Sequence, residues 1–360
     1  MVFGERKQRK NCDEPPNHEP ITVVSAADDN YAMPLAVTIR SAIDSLGTGR
    51  QLSICILDGG LTNHSKERLL RSWQAPGVSV RWLEPPVLQI ADLKTENHLN
   101  LVTYLRLFMP SLLPPQQERV IFLDADLLIR KDLGELWATE LGDAPVAAVN
   151  DYFTPYLNTR EAIGRPSICD RHPDKCHPVP NYRELGLKGT ASYFNAGVMV
   201  VNLVKWREMD VLHQAMDLVR EHYEHVRYCD QYALNVLFSE KWKPLDPRWN
   251  QNSNLWAWRG SDDGAFDPRL FRTLRNQPWI VHFTWIRKPW HYGCTHPATR
   301  RFFKVVDRTD WRGWRPVAPP RTIVERVGDT YKQYRAWYRQ NVSPMARSIK
   351  VAVGLKKRAA

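Results

Sequence analysis

The stretch Val120-Ile-Phe-Leu-Asp-Ala-Asp126 is an apolar run that ends in two carboxylates two positions apart. An unbroken apolar run fits a strand covered on both faces, as in a parallel sheet, and its polar end marks the strand's carboxyl edge. Carboxylates leaving one strand end together can converge on a single hard divalent cation. Such a cation is held by one or two carboxylates together with substrate phosphates. Asp-x-Asp is also a common turn tripeptide, so its position after a strand carries the weight.

The same pattern occurs upstream. Ile21–Ala27 (ITVVSAA) is continuous and apolar and breaks into Asp28-Asp29-Asn30-Tyr31. Those side chains suit a base and ribose, with a ring for stacking, and equally suit the cap of a following helix. Leu35, Ile39, Ile43 and Leu46 then recur at helical spacing, with Gly47 as the expected stop. Further strands are predicted at Leu52–Leu57, Val78–Leu83, Pro145–Val149, Asn195–Leu203 and Trp279–Phe283. Helices are predicted through Lys66–Trp73, near Thr103–Phe108, from about Lys205 to Glu221, and over Asp230–Phe238. Alternation of this kind implies an α/β fold with a largely parallel central sheet flanked by helices. Ligands of such folds bind at the carboxyl ends of the strands, where both acidic clusters fall. Asp151–Tyr193 is Pro- and charge-rich with weak periodicity, which in a stretch this long suggests a lid or binding element.

The chain has no G-x-x-x-x-G-K-[ST] and no G-x-G-x-x-G. A bound nucleotide would therefore not sit in a glycine cradle, and a metal on its diphosphate is the natural substitute. His282, at the end of its strand, is a candidate neutral ligand or a structural histidine.

Composition is that of an ordinary soluble enzyme, with 43% hydrophobic and 25% charged residues in 360. The net charge of +11 is uneven. Arg321–Ala360 has ten Lys/Arg against Glu325 and Asp329, leaving only +3 for the first 320 residues. A general nucleic-acid surface is thereby a poor fit to the body. In the tail, Tyr331, Tyr334, Trp337, Tyr338 and Val342 follow helical spacing with Lys332, Arg335 and Arg339 interleaved. That suits an interfacial helix on anionic lipid, or a solvated face packed on the domain. The first 20 residues, charged and Pro-rich, read as a disordered leader rather than a secretory signal. The longest uncharged run, Gly189–Val204, is shorter than the ~20 apolar residues a spanning helix needs. Six cysteines do not make a disulfide framework in a chain of this length. Cys55 reads as a buried thiol, and Cys169, His172, Cys176 and His177 have ligand types that could hold zinc at a spacing that matches no common finger.

Taken together and in order, these segments resemble glycosyltransferase family 8, the retaining enzymes that include bacterial lipopolysaccharide galactosyl- and glucosyltransferases and glycogenin. The matching text is Ala26-Ala-Asp-Asp-Asn-Tyr31, Thr103-Tyr-x-Arg106, Phe122-Leu-Asp-Ala-Asp126, Tyr193-Phe-Asn-Ala-Gly197 with Asn202-Leu, Asp230-Gln231, and His282 with Lys288-Pro-Trp290. It spans about Ile21 to Trp290 and is most similar to the lipooligosaccharide galactosyltransferase branch.

The resemblance implies a GT-A fold over 21–315, with 152–192 as an acceptor-side loop or lid; the tail 321–360 reads from its own charge and aromatics as a membrane-surface segment. It implies a UDP-hexose donor (galactose or glucose) and Mn²⁺, with Mg²⁺ as the alternative. Asp124, Asp126 and His282 would ligate the ion. Ala26, Asp28, Asn30 and Tyr31 would hold uridine, and Lys288 the diphosphate. Arg106, Ala125, Asp151, Asn195, Ala196, Asp230 and Gln231 would complete the donor site, with Gln231 and Asp230 catalytic. Gln231 is an amide and a poor nucleophile, which favours attack from the leaving-group face; Asp230 is the rival. The implied partners are a glycan or lipid-linked acceptor and an anionic membrane, with no specific nucleic acid. The implied location is the cytoplasmic side of a bacterial inner membrane. The chain departs from the family by Trp285, where a phosphate-contacting glycine is usual, and by a longer Asp151–Tyr193 segment. Two other readings stay open: a UDP-sugar-binding or hydrolysing protein without a true acceptor, and a basic membrane- or nucleic-acid-binding module.

Overall fold

Strand β1 (Ile21–Ala27) lies between β2 (Leu52–Asp58) and β4 (Arg119–Leu123) and runs parallel to both. The structure, a computed structural model, describes residues 19–96, 100–163, 176–256, 267–284 and 287–318. By internal contacts the chain divides into Met1–Arg315 and Pro316–Ala360, and only 316–318 of the second unit are described. With β3 (Val78–Leu83), β6 (Val146–Asn150), β7 (Phe194–Asn202) and β8 (Lys243–Pro244), these strands form a seven-stranded sheet ordered β3-β2-β1-β4-β7-β6-β8. Only β7 runs against its neighbours.

The unbroken apolar strands are explained by what covers the sheet. Val23, Ile54, Ile121 and Val200 point into one core cluster, while their neighbours Val24, Cys55, Phe122 and Met199 point into a second. With both faces buried, both sets of alternating positions are mainly apolar, with Thr22 and Ser25 the buried polar exceptions in β1. Full burial of each such aliphatic contributes about 1.5–3 kcal/mol.

A second sheet of three strands joins β5 (Leu127–Ile129), β10 (Ile280–His282) and β9 (Gln251–Asn252). β5 is the apolar run just after Asp126, and it pairs antiparallel with β10 through Leu127 and His282. Helix α1 (Ala32–Asp44) fixes this corner with two buried hydroxyls. Thr38 Oγ1 lies 2.9 Å from the Ala125 carbonyl and accepts the Leu127 N–H, and Ser41 Oγ accepts the Ile129 N–H.

Several elements differ from their expected form. Helix α1 ends at Asp44 with Ser45 still in right-handed geometry, so Leu46 and Gly47 lie beyond it. The predicted helix near Thr103 is a tighter 3-10 stretch, Leu101–Phe108, opened by Asn100, whose side chain accepts the Val102 N–H. The predicted helix from Lys205 to Glu221 is two helices, Leu203–Glu208 and Val211–Glu221, because Asp210 takes left-handed geometry (φ 47°) between them. The described parts of 151–193 are folded rather than loose. Leu157, Val179 and Tyr193 enter the second core cluster, and Thr159–Ile163 is helical. Cys55 is a buried free thiol. Cys176 is disulfide-bonded, which withdraws it from any zinc set; Cys169 and His172 lie outside the described residues. Trp285 and the tail motif 331–342 also lie outside them. Among the described residues, no helix is long and apolar enough to cross a membrane.

Candidate active site

Asp124 leaves β4 with its N–H bonded to the Gly197 carbonyl, and two residues later the Asp126 carbonyl accepts the Phe283 N–H. The two carboxylates are thus pinned between β7 on one side and the end of β10 on the other. His282 Nε2 lies 3.2 Å from Asp126 Oδ1 and 3.5 Å from Asp124 Oδ2. One ligand atom of each residue lies within 4.8 Å of the others. Two carboxylates and an imidazole suit a borderline or hard divalent ion such as Mn²⁺ or Mg²⁺. The backbone is shaped for this approach at Gly197. A Cβ there would collide with His282 Cε1 and stand 2.6 Å from Asp124 Oδ2. The donor set and the cradle fit such an ion.

Lys288 completes the cluster. Its ammonium donates to Asp126 Oδ2 at 2.7 Å and to the Phe283 carbonyl at 2.6 Å. Burial alone would raise the Asp126 carboxyl, but Lys288 and His282 against it hold it below the usual carboxylate range.

Arg106, 5% exposed, binds three strand or helix ends together. It donates to the Ala196 carbonyl at 2.5 Å and to Asp124 Oδ1 at 2.9 Å, and its Nε lies 3.1 Å from Asp230 Oδ2. Its guanidinium stacks 4.3 Å from the Phe122 ring centre. Burial pushes the Asp230 carboxyl up to about 6 against the pull of Arg106, with Asp124 adding to the rise. Tyr228 and Cys229, with φ of 59° and 52°, immediately precede Asp230. Consecutive non-glycine residues in left-handed backbone cost on the order of 1–3 kcal/mol each, a strain found where the chain must aim a functional group. Gln231 is tied on both sides: its Oε1 accepts the Ala196 N–H at 2.9 Å and its Nε2 donates to the Tyr193 hydroxyl at 3.2 Å.

At the β1 end, Asp28 caps the 3-10 turn Asp29–Tyr31 by accepting the Tyr31 N–H, and it also accepts from Asn100. Asp29 accepts the N–H and hydroxyl of Thr62. Capping is therefore what these acids do locally, which leaves Asn30 exposed beside them. Tyr31 is half-buried, edge-on to Trp290. Burial, and then the Asp126 and Asp124 carboxylates, raise its hydroxyl well above the ordinary range.

Asp151 and Asn195 meet at 3.0 Å, and Asn195 is bonded in turn to Asn250 at 2.8 Å. Asn250, Thr38 and Ser41 are site residues that the sequence does not single out. Thr38 and Ser41 stand out only as polar residues in an apolar helix, and Asn250 sits in a polar stretch with nothing to single it out.

The fold is that of the GT-A glycosyltransferases, with paired carboxylates at a strand exit. The family model for glycosyl transferase family 8 matches residues 22–294, and the chain belongs to that family. General stress protein A of Bacillus subtilis is 26% identical over 292 residues, covering 80% of this chain and 94% of the relative. A putative glycosyltransferase of Haemophilus influenzae is 26% identical over 280 residues, or 77% and 74% of the two chains. Among solved structures, the galactosyltransferase LgtC in complex with donor and acceptor sugar analogues superposes with a TM-score of 0.67 at 27% identity. The match covers 81% of this chain and 99% of LgtC.

Proposed function

We propose that the protein is a retaining hexosyltransferase that moves galactose or glucose from a UDP-sugar to a glycan or lipid-linked acceptor. The observation that carries this reading is the triad Asp124, Asp126 and His282, closed over Gly197 where no side chain would fit. When bound there, Mn²⁺, or Mg²⁺ in its place, supplies positive charge for the departing diphosphate.

The protein's own groups do the rest. Lys288, already in the cluster, brings a fixed cation to the same phosphates. Tyr31, Asp28, Asn30 and Ala26 line the β1 exit for the uridine. Asp151, Asn195, Ala125, Ala196 and Arg106 shape the sugar subsite. The transition state of glycosyl transfer is oxocarbenium-like. Gln231 is held by Ala196 and Tyr193, and Asp230 is 2% exposed beside Arg106. Neither is presented as a free nucleophile, which favours same-face attack with a departing phosphate oxygen taking the acceptor proton.

The test is a donor screen by UDP release, with product stereochemistry read by NMR. An α-linked UDP-hexose should give an α-glycoside; chelation should abolish turnover and Mn²⁺ restore it. A β product, or full activity in chelator, would sink the reading. Turnover that is indifferent to every acceptor would favour the hydrolase reading, which Trp285 in place of glycine motivates.

The charge of 321–360 supports a further part of the proposal, contact with an anionic membrane at its cytoplasmic face. The modest charge of the first 320 residues argues against nucleic acid as a partner.

A further inference from the structure

His282 is 4% exposed and presents Nε2 to the two carboxylates. Its other ring nitrogen, Nδ1, lies 2.9 Å from Asn250 Oδ1. Asn250, 1% exposed, ends the 3-10 turn Pro247–Asn250 just before β9. Its Nδ2 donates to Asn195 Oδ1 at 2.8 Å, and that same oxygen accepts the Gly197 N–H at 3.0 Å. Asn195 Nδ2 donates to Asp151 Oδ2 at 3.0 Å, while Asp151 Oδ1 accepts the N–H groups of Phe153 and Thr154 at 2.9 and 3.3 Å. Four buried side chains thus form one continuous line from a carboxylate to the imidazole.

The direction of that line is determined by donor and acceptor chemistry. A side-chain amide has one accepting and one donating end, and density or geometry alone rarely separates them. Here the ambiguity is removed from both sides of Asn195. A carboxylate only accepts, so Asn195 turns its NH₂ toward Asp151; the Gly197 N–H requires an oxygen on the other arm. Asn195 Oδ1 then needs a donor from Asn250, which leaves Asn250 Oδ1 facing the ring. An amide oxygen cannot donate, so Nδ1 carries a hydrogen and Nε2 is the nitrogen left for the metal.

We propose that Asn250 is a positioning residue for the metal triad. Through its bonds to Asn195 and His282 it holds the imidazole in the Nδ1–H tautomer, with Nε2 aimed between Asp124 and Asp126. Metal-bound histidines commonly fix their second nitrogen this way, most often on a carboxylate or backbone carbonyl. In this protein the fixing carboxylate, Asp151, acts from two amides away, and those amides connect the sugar subsite to the metal subsite. The inference rests on the metal reading of the triad.

The test uses the full chain, stripped of metal, with Mn²⁺ alone as the probe and the free ion read by electron paramagnetic resonance. Asn250→Ala should weaken Mn²⁺ binding about 10–100-fold, the range seen for such supporting residues. Asn250→Asp keeps an oxygen opposite Nδ1 and should retain affinity within about threefold, although it disturbs the Asn195 end. A readout independent of metal comes from ¹⁵N-histidine NMR of the apo protein, with the His282 signals identified by their absence in His282→Gln. Wild type and Asn250→Asp should show Nδ1–H; Asn250→Ala should show a tautomer mixture.

A folded Asn250→Ala that binds Mn²⁺ within about twofold of wild type would overturn the proposal. So would an Nε2–H tautomer in wild type, or loss of both tautomer and affinity in Asn250→Asp. If Asn250→Ala fails to fold, the wild-type tautomer and Asn250→Asp decide. Wild type that does not bind Mn²⁺ at all would fault the metal reading instead, and the tautomer would still test the relay.

Discussion

The Lys288 ammonium sits 2.7 Å from the Asp126 carboxylate, and both side chains are less than a tenth exposed. A buried pair of this kind is strained by desolvation unless further partners share the charge, and here His282 and the Phe283 carbonyl do so. Replacing Lys288 by Met should reduce kcat about 10²–10³-fold, as removal of a fixed charge at a leaving group does. It should also let Asp126 take up a proton at higher pH, so the acid-side loss of Mn²⁺ binding should move upward. Titration of Mn²⁺ affinity against pH in wild type and variant checks both the role and the sign. An unchanged acid limb would place Lys288 outside the electrostatics of the site.

Gly197→Ala is a second, purely steric probe. The added methyl would press on the His282 ring and on Asp124, while the backbone of β7 can keep its pairing with β4. Mn²⁺ binding and turnover should both fall at least about tenfold, with circular dichroism unchanged. Retained binding would mean that the triad relaxes by more than the contacts suggest.

Asp230 gives a stability prediction. Its folded-state value, about 6, exceeds the ordinary value for an unfolded carboxyl. Between those values the folded protein holds a proton that the unfolded chain has released. The contribution is therefore full at low pH and is lost as pH rises through about 6. Asp230→Asn removes that loss. In chelator, the difference in melting temperature between Asp230→Asn and wild type should be more positive at about pH 7.5 than at about pH 4.5. Its ceiling is about 3 kcal/mol, less whatever Arg106 forfeits with its partner. A difference independent of pH would show that Asp230 stays ionised throughout.

The tail is tested by removing Thr322–Ala360, which carries most of the net charge and none of the proposed site residues. Each Lys/Arg near an anionic surface contributes about 1 kcal/mol, so full-length protein should sediment with anionic vesicles in a salt-sensitive way. The truncated form should not, and should keep turnover on soluble acceptors. Equal vesicle binding by both forms would remove the membrane from the proposal.

How much of this was legible in the sequence depended on whether the cause was local. The runs Ile21–Ala27 and Val120–Leu123 announce buried strands because both faces of each are covered, and the carboxylates that follow then fall at strand exits. Asp210 breaks a helix with no glycine to mark it. The 3-10 stretch over Thr103–Phe108 has an apolar pattern that tighter winding satisfies equally well. Thr38, Ser41 and Asn250 are ordinary polar residues in the sequence. Their importance comes from meeting β5, Asn195 and His282 across the fold, and nothing adjacent to them in the chain records those meetings. His282 stood out at the end of its strand as a candidate ligand or a structural histidine, and the family pattern then weighed for the ligand.

The triad draws its ligands from two separate sheets: Asp124 directly follows a strand of the large one, and His282 ends a strand of the small one. An ion shared by them is therefore also a rivet between distant parts of the chain. Its removal should loosen the seam along β5, β9 and β10 before it disturbs the seven-stranded core. Saturation at about a hundred times its dissociation constant would tighten the folded state by about 2.7 kcal/mol. Ion supply would then govern how long the folded enzyme persists as well as how fast it turns over.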